Sequence, residues 1–183
     1  MKKLFFSMLL AFFAHTATAE NEASLSNDFN QKCYEKQSKT ACNIQAMHIF
    51  QTAINTANTA LAQKLIDDKA PFYTPVSKAP LYGGKGYISV VNLMRTNFSD
   101  IQWKIKDIVA NDTTVAVLWE CSGTHTQGEF HGKAADGSKF SFDTMNFYYF
   151  NDKGKITNDI AGEGLAGLLI DLGLLNQNTV EKK

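Results

Sequence analysis

The chain has 183 residues, of which 44% are hydrophobic and 20% charged. That is enough apolar material for one full core, and it excludes wholesale disorder. Lysine and arginine total 18, as do aspartate and glutamate, so no charge excess draws the protein to nucleic acid or to an anionic membrane.

Residues 1–19 read as a secretory signal. Met1-Lys2-Lys3 is a basic start, Leu4 to Phe13 is almost unbroken apolar sequence, and Ala17-Thr18-Ala19 has the small-x-small form of a cleavage site. The apolar run is shorter than the roughly 20 residues that span a bilayer. The mature protein is therefore expected to be exported, periplasmic or secreted, with no membrane attachment. Residues 20–42 are polar and read as an N-terminal extension. Within it Cys33 and Cys42 form a disulfide candidate, because an oxidising compartment favours pairing and no nearby ligand completes a metal site. Closing so short a loop stabilises by roughly 2–3 kcal/mol on the chain-entropy model. Cys121 reads as a small buried hydrophobe.

The domain proper is expected over residues 43–175. Ile44, Met47, Phe50, Ile54, Leu61 and Leu65 recur at helical steps, interrupted at Asn55 to Asn58, where Asn58 can cap a second helix. Phe72 to Pro75 reads as a short extended piece before a loop. Gly83-Gly84-Lys85-Gly86 opens a third helix striped by Tyr87, Val91, Met94 and Phe98; without the Walker spacing these glycines read as a plain loop and not as a phosphate cradle. From Ile101 the period becomes two. Strands are expected from Ile101, over 113–126, over 139–150 and over 155–162, with a turn at Asn111-Asp112 built on positive φ and a loop over 127–137. Leu165 to Leu175 is helical, and residues 176–183 are a polar tail.

Helices first, then an antiparallel meander, then a helix is an α+β order. The expected architecture is a cone-shaped barrel: N-terminal helices packed on a strongly curved, mostly antiparallel sheet, with a short C-terminal helix and a hollow between the layers. Strand parity groups His125 with Trp119 and Cys121, and Phe142 with Asn146, Tyr148 and Phe150. With Tyr73 and Trp103, the residues Trp119, Phe142, Asn146 and Tyr148 are candidates to line an aromatic pocket, although aromatics on a curved sheet also serve as plain core. His125, Glu129 and His131 lack the helical spacing of zinc motifs and read as loop residues, so no metal is expected.

Asn55-Thr-Ala-Asn58, Gly84-Lys-Gly86, Phe98-Ser-Asp100, Gly123-Thr-His-Thr126, Gly154-Lys-Ile156 and Ala166-Gly-Leu-Leu169 occur in the order seen in SnoaL-like polyketide cyclases. The chain resembles that family, within the nuclear-transport-factor-2-like superfamily, over about residues 43–175. The resemblance implies a cone with a pocket at its wide end, and acid–base chemistry on a small hydrophobic molecule with no cofactor. The family's catalytic aspartate matches a position at or next to Gly164, with Glu163 adjacent. Its acidic residue on the preceding strand appears here as Asn146, and its tryptophan on the last strand as Ile160. An aldol closure needs a base and a donor to the enolate oxygen. On this reading Glu163 is the first candidate base and Asp159 the second, sharing a strand face unless a bulge at Gly162 separates them, with His125 and Tyr148 as polar partners. Two alternatives stand beside it: a non-catalytic module that binds a hydrophobic small molecule, and a homodimer working through its exposed sheet face.

Overall fold

A computed structural model describes residues 29–74, 77–162 and 164–175. The signal segment, Pro75, Glu163 and the tail from 176 onward lie outside them. The first helices form where short polar side chains satisfy free backbone donors. Ser38 caps the helix α2 (Lys39–Asn55) by accepting from the Ala41 amide at 3.2 Å. Asn58 caps α3 (Thr59–Leu65) from Leu61 at 2.9 Å; such a cap is worth about 1 kcal/mol. Ahead of them, α1 (Phe29–Tyr34) occupies part of the segment expected to be a plain extension. Its polar sequence conceals buried pairing. Asn30 is buried and donates to the Gly154 carbonyl, Tyr34 donates to Asn43 Oδ1, and the Cys33–Cys42 disulfide ties α1 to α2.

Two further elements escaped the hydrophobic pattern. The extended piece expected at Phe72 to Pro75 is β1 (Pro71–Thr74), and it pairs with β2 (Ser77–Tyr82), which stands where a loop was expected and leads directly into α4 (Gly83–Arg95). Pro80 sits in this isolated two-stranded ribbon, where an absent amide donor is tolerated. Within the expected loop 127–137, β5 (Glu129–Phe130) and β6 (Lys133–Ala134) form a minimal hairpin.

The main sheet is antiparallel in the order β3 (Gln102–Ala110), β4 (Thr114–Thr124), β7 (Lys139–Phe150), β8 (Ile156–Ala161). β3 and β8 remain edges, so the cone is an open one and not a closed barrel. The β3–β4 turn differs from expectation. Neither Asn111 nor Asp112 takes positive φ; Asn111 Oδ1 instead accepts from the amides of Thr113 and Thr114 at 2.9 and 2.8 Å, so the side chain makes the turn. On the inner face, Val115, Val117, Trp119 and Cys121 of β4 alternate with partly exposed neighbours; the first three meet α2, α3 and α4, and Cys121 joins a second cluster with Phe98, Ile101, Phe140, Leu168 and Leu172. The final helix α5 (Gly164–Asp171) lies against β7, where an added Cβ at Gly167 would stand 2.6 Å from the Phe142 Cβ.

A bulge in β8 decides which side chains reach the interior. Tyr149 pairs with Asn158 but Phe150 pairs with Ile156, leaving Thr157 as an extra residue. Ile156 faces the core, and the insertion shifts the phase so that Asp159, not Asn158 or Ile160, stands opposite the inward Tyr148. This bulge lies five residues before Gly162, the position at which a bulge would have separated Asp159 from Glu163.

Gly84 marks the tightest helix contact. A Cβ there would come within 2.4 Å of the Gln63 amide nitrogen, so α3 and α4 touch backbone to backbone. Gly84→Ala is expected to destabilise by about 1–3 kcal/mol, the usual penalty of overpacking, read as a lower midpoint in chemical denaturation with an unchanged slope.

Candidate functional site

Between the helices and the inner sheet face lie two adjoining lobes of about 240 and 260 Å³. Ile54, Tyr87, Met94, Trp103, Asn146 and Ala161 line both. The outer lobe is walled by Phe72, Val90 and Val91, with Tyr73, 77% exposed, at its rim. The inner lobe adds Trp119, Cys121, Phe142, Thr144, Tyr148 and Leu168. All six aromatic and polar pocket residues expected from the sequence therefore line one or the other lobe, although Trp119 and Tyr148 are buried and also belong to the core.

Asp159 supplies the outer lobe's carboxylate. Asn146, buried on β7, donates from Nδ2 to Asp159 Oδ1 at 2.8 Å. Tyr87 of α4 donates to Asp159 Oδ2 at 3.4 Å, a long contact. The Tyr148 hydroxyl accepts from Trp119 Nε1 at 3.1 Å. Among the described residues lining the lobes there is no lysine, arginine or histidine. Burial, only partly offset by the hydrogen bonds from Asn146 and Tyr87, pushes the Asp159 carboxyl up to about 6. Burial first, and then the nearby Asp159 charge, push both Tyr87 and Tyr148 well above the usual phenol range, so both stay protonated donors. Burial likewise pushes the Cys121 thiol up to about 12, which leaves it uncharged and unreactive.

The other sequence candidates fall elsewhere. Glu163 is outside the described residues. His125 points inward as parity required and is fully buried, but it lines neither lobe. Its ring meets Phe98 at a tilt, with centroids 5.3 Å apart, and neither ring nitrogen has a hydrogen-bond partner among the described residues. Val117 is the β4 partner of Asn146, and His125 lies eight residues further on, about 26 Å of extended strand. Parity assigns a face and says nothing about position along the strand. Glu129 and His131 are exposed on the β5–β6 hairpin, and among the described residues no three His, Cys, Asp or Glu side chains gather. Tyr87 is the residue that sequence reasoning missed. Its place in an apolar stripe hid a hydroxyl aimed at the carboxylate; the available signal was the one phenol on that stripe.

An α+β cone holding a desolvated carboxylate in an apolar hollow defines a small-molecule pocket protein of the cyclase and isomerase type of fold. The model of the SnoaL-like polyketide cyclases matches residues 44–172, and the chain belongs to that family. Solved structures share the fold at low identity. IdmH, a candidate polyketide cyclase from Streptomyces antibioticus, superposes with a TM-score of 0.63 at 22% identity, over 72% of this chain and 98% of that one. AclR, a candidate hydroxylase from Streptomyces galilaeus, gives 0.62 at 23%, over 75% and 99%. A SnoaL-like polyketide cyclase from Agrobacterium tumefaciens gives 0.58 at 16%, over 75% and 99%. No curated protein matches the chain.

The raised carboxyl has a consequence for stability. A group whose folded pKa lies above its unfolded value of 3.8 binds its proton more tightly in the native state, so its contribution is full at low pH and fades as pH climbs through about 6. The loss amounts to about 3 kcal/mol across the window between about pH 4 and 7. Asp159→Asn removes the titration while keeping an acceptor for Asn146. We expect its melting temperature to exceed that of the wild type at pH 8, with the gap closing toward pH 4.

Proposed function

We propose that this protein is a cofactor-independent acid–base enzyme of cyclase or isomerase type, acting on a small hydrophobic carbonyl compound, with Asp159 as the base. The observation that carries this reading is a carboxylate on the wall of an apolar cavity that no cation among the described residues lines, where burial pushes its pKa up to about 6. Ionised Asp159 takes a proton from the carbon next to the substrate carbonyl, and negative charge moves to the oxygen. An amide has two N–H donors. One N–H of Asn146 holds the base, and the second is the donor assigned to the enolate oxygen, so one side chain stabilises both ends of the transfer. The protonated Asp159 then returns its proton to complete an isomerisation or an aldol closure, and the molecular formula is conserved.

Native mass spectrometry of protein purified from its source tests this against simple binding. The expected result is a bound compound that fresh protein converts to a product of equal mass and different chromatographic mobility, and that Asp159→Asn leaves unchanged, since a positioned base contributes about 10²–10⁴-fold. A compound recovered chemically unchanged after incubation with the wild type makes the protein a binding module. Turnover by the wild type should also rise with pH through about 6.

The export signal read in residues 1–19 belongs to the same proposal, and the Cys33–Cys42 bond supports it, since such bonds persist in oxidising compartments. The homodimer does too. Val109, Ala116, Phe147 and Ile160 form one register row across the outer sheet face, and Val109, Phe147 and Ile160 are 64%, 42% and 52% exposed. Beyond the intervening row of Asp107, Leu118 and Met145 run Lys104, Glu120 and Asp143, a mixed-charge row that a two-fold partner can match with its own. Sedimentation should give a dimer that Phe147→Lys splits; a wild-type monomer at micromolar concentration removes this part.

A further inference from the structure

The chain has two tryptophans, and the fold uses their N–H groups differently. Trp119 Nε1 donates to the Tyr148 hydroxyl at 3.1 Å. Trp103 Nε1 has no acceptor among the described residues. Nor is it sealed away: the enclosed side-chain polar atoms without a partner are Asn30 Oδ1, Arg95 Nε and the two His125 ring nitrogens. The Trp103 indole lines both lobes of the cavity and packs against both core clusters. Of the six residues shared by the two lobes, Trp103 and Asn146 are the ones that carry a side-chain N–H.

The backbone beneath this indole is held on both sides. Trp103 stands on β3, an edge of the main sheet, directly opposite the buried Cys121, so its side chain faces inward. The free side of an edge strand leaves amides and carbonyls without partners. Here α2 supplies them. Asn55 Oδ1 accepts from the Trp103 amide and Asn55 Nδ2 donates to the Trp103 carbonyl, each at 2.8 Å. Gln51 accepts from the Ile105 amide at 3.0 Å. The indole is therefore fixed on its stretch of wall, and that stretch is distinct from the one holding Asn146. Trp103 pairs with Cys121, whereas Asn146 pairs with Val117, four residues away along β4, about 13 Å of extended strand.

We propose that Trp103 is a specificity-determining residue whose Nε1–H receives a second oxygen of the substrate, remote from the carbonyl held beside Asn146 and Asp159. This rests on the reading of the cavity as the site of a carbonyl compound, and it narrows the substrate class to hydrophobic compounds with two separated acceptor oxygens. An indole N–H donates and never accepts, so the site asks for an acceptor there. A guest that displaces water from the lobes without offering an oxygen at that point leaves the N–H unpaired, and the lost hydrogen bond counts against it. Asn146 and Trp103 thus read two ends of one molecule, and the distance between them selects for length as well as for polarity.

The test compares two probes with the full chain. One is a methylated bicyclic enedione with a carbonyl on each ring. The other is the matching enone, in which a methylene group replaces the isolated carbonyl. Labelling tryptophan with ¹⁵N gives two indole N–H signals, and Trp103→Phe assigns them by deleting one. The Trp103 signal should move downfield with the enedione and not with the enone, while the Trp119 signal stays in place with both. The wild type should bind the enedione about tenfold more tightly than the enone, the worth of one hydrogen bond, and Trp103→Phe should bind the two alike. A Trp103 signal unmoved by bound enedione, equal shifts with both probes, or a preference that persists in Trp103→Phe overturns the proposal, as does an enedione that fails to bind at millimolar concentration. The measurement contains no chemical step, so it fails separately from the base. An enedione-specific indole shift without exchange of the probe's enolisable hydrogens overturns Asp159 as the base and leaves the Trp103 donor standing. Should Trp103→Phe fail to fold, the signals are told apart in heavy water, where the buried and bonded Trp119 proton exchanges more slowly, and the wild-type shifts decide.

Discussion

A carboxylate set against apolar walls, with no cation among the described residues that line them, is the constraint around which this molecule is arranged. The Asp159 oxygens accept from one amide and one phenol. Each supporting feature of the fold serves that placement. The Thr157 bulge turns the side chain inward, β7 puts Asn146 and Tyr148 on the same face, and α4 brings Tyr87 across from the helical layer. A regular β8 would present Asn158 and Ile160 to the hollow, and the cavity would be apolar with no reactive group.

The N-terminal helices contribute to the same end at a distance. α1 is fastened to α2 by the disulfide, and its Asn30 holds the Gly154 carbonyl in the turn that feeds β8. That turn immediately precedes the bulge. The short polar segment at the start of the described chain thus supports the geometry of the strand that carries Asp159, although it lines neither lobe.

Much of the fold was legible because it follows from periodicity. The strand over 139–150 has the expected limits, β4 alternates as parity required, and the stripe of Met47, Phe50 and Ile54 is buried. What periodicity could not show were the β1–β2 ribbon, whose sequence has no strong alternation, and α1, whose polar residues are buried through specific pairs. The site was half legible for the same reason. Its wall residues share strand parity and were readable, while the phase shift at Thr157 and the hydroxyl of Tyr87 are three-dimensional facts. The family motifs pointed to scaffold rather than to chemistry. Asp100 accepts from Thr124 at 2.8 and 2.7 Å, Asn55 bonds the Trp103 backbone in both directions, and Gly84 and Gly167 permit close approach. None of those motif residues carries Asp159, which lies within β8; Glu163, beside the position that the resemblance implies, lies outside the described residues.

The central claim is that this desolvated carboxylate abstracts protons from carbon. Its most direct measurement is exchange of the enolisable hydrogens of a bicyclic aryl ketone in heavy water, followed by proton NMR with the full-length protein. The account predicts exchange faster than the buffer background, rising with pH through about 6 and falling to background in Asp159→Asn. Exchange that stays equally fast in Asp159→Asn, or that never exceeds background while the ketone is demonstrably bound in the lobes, would contradict it.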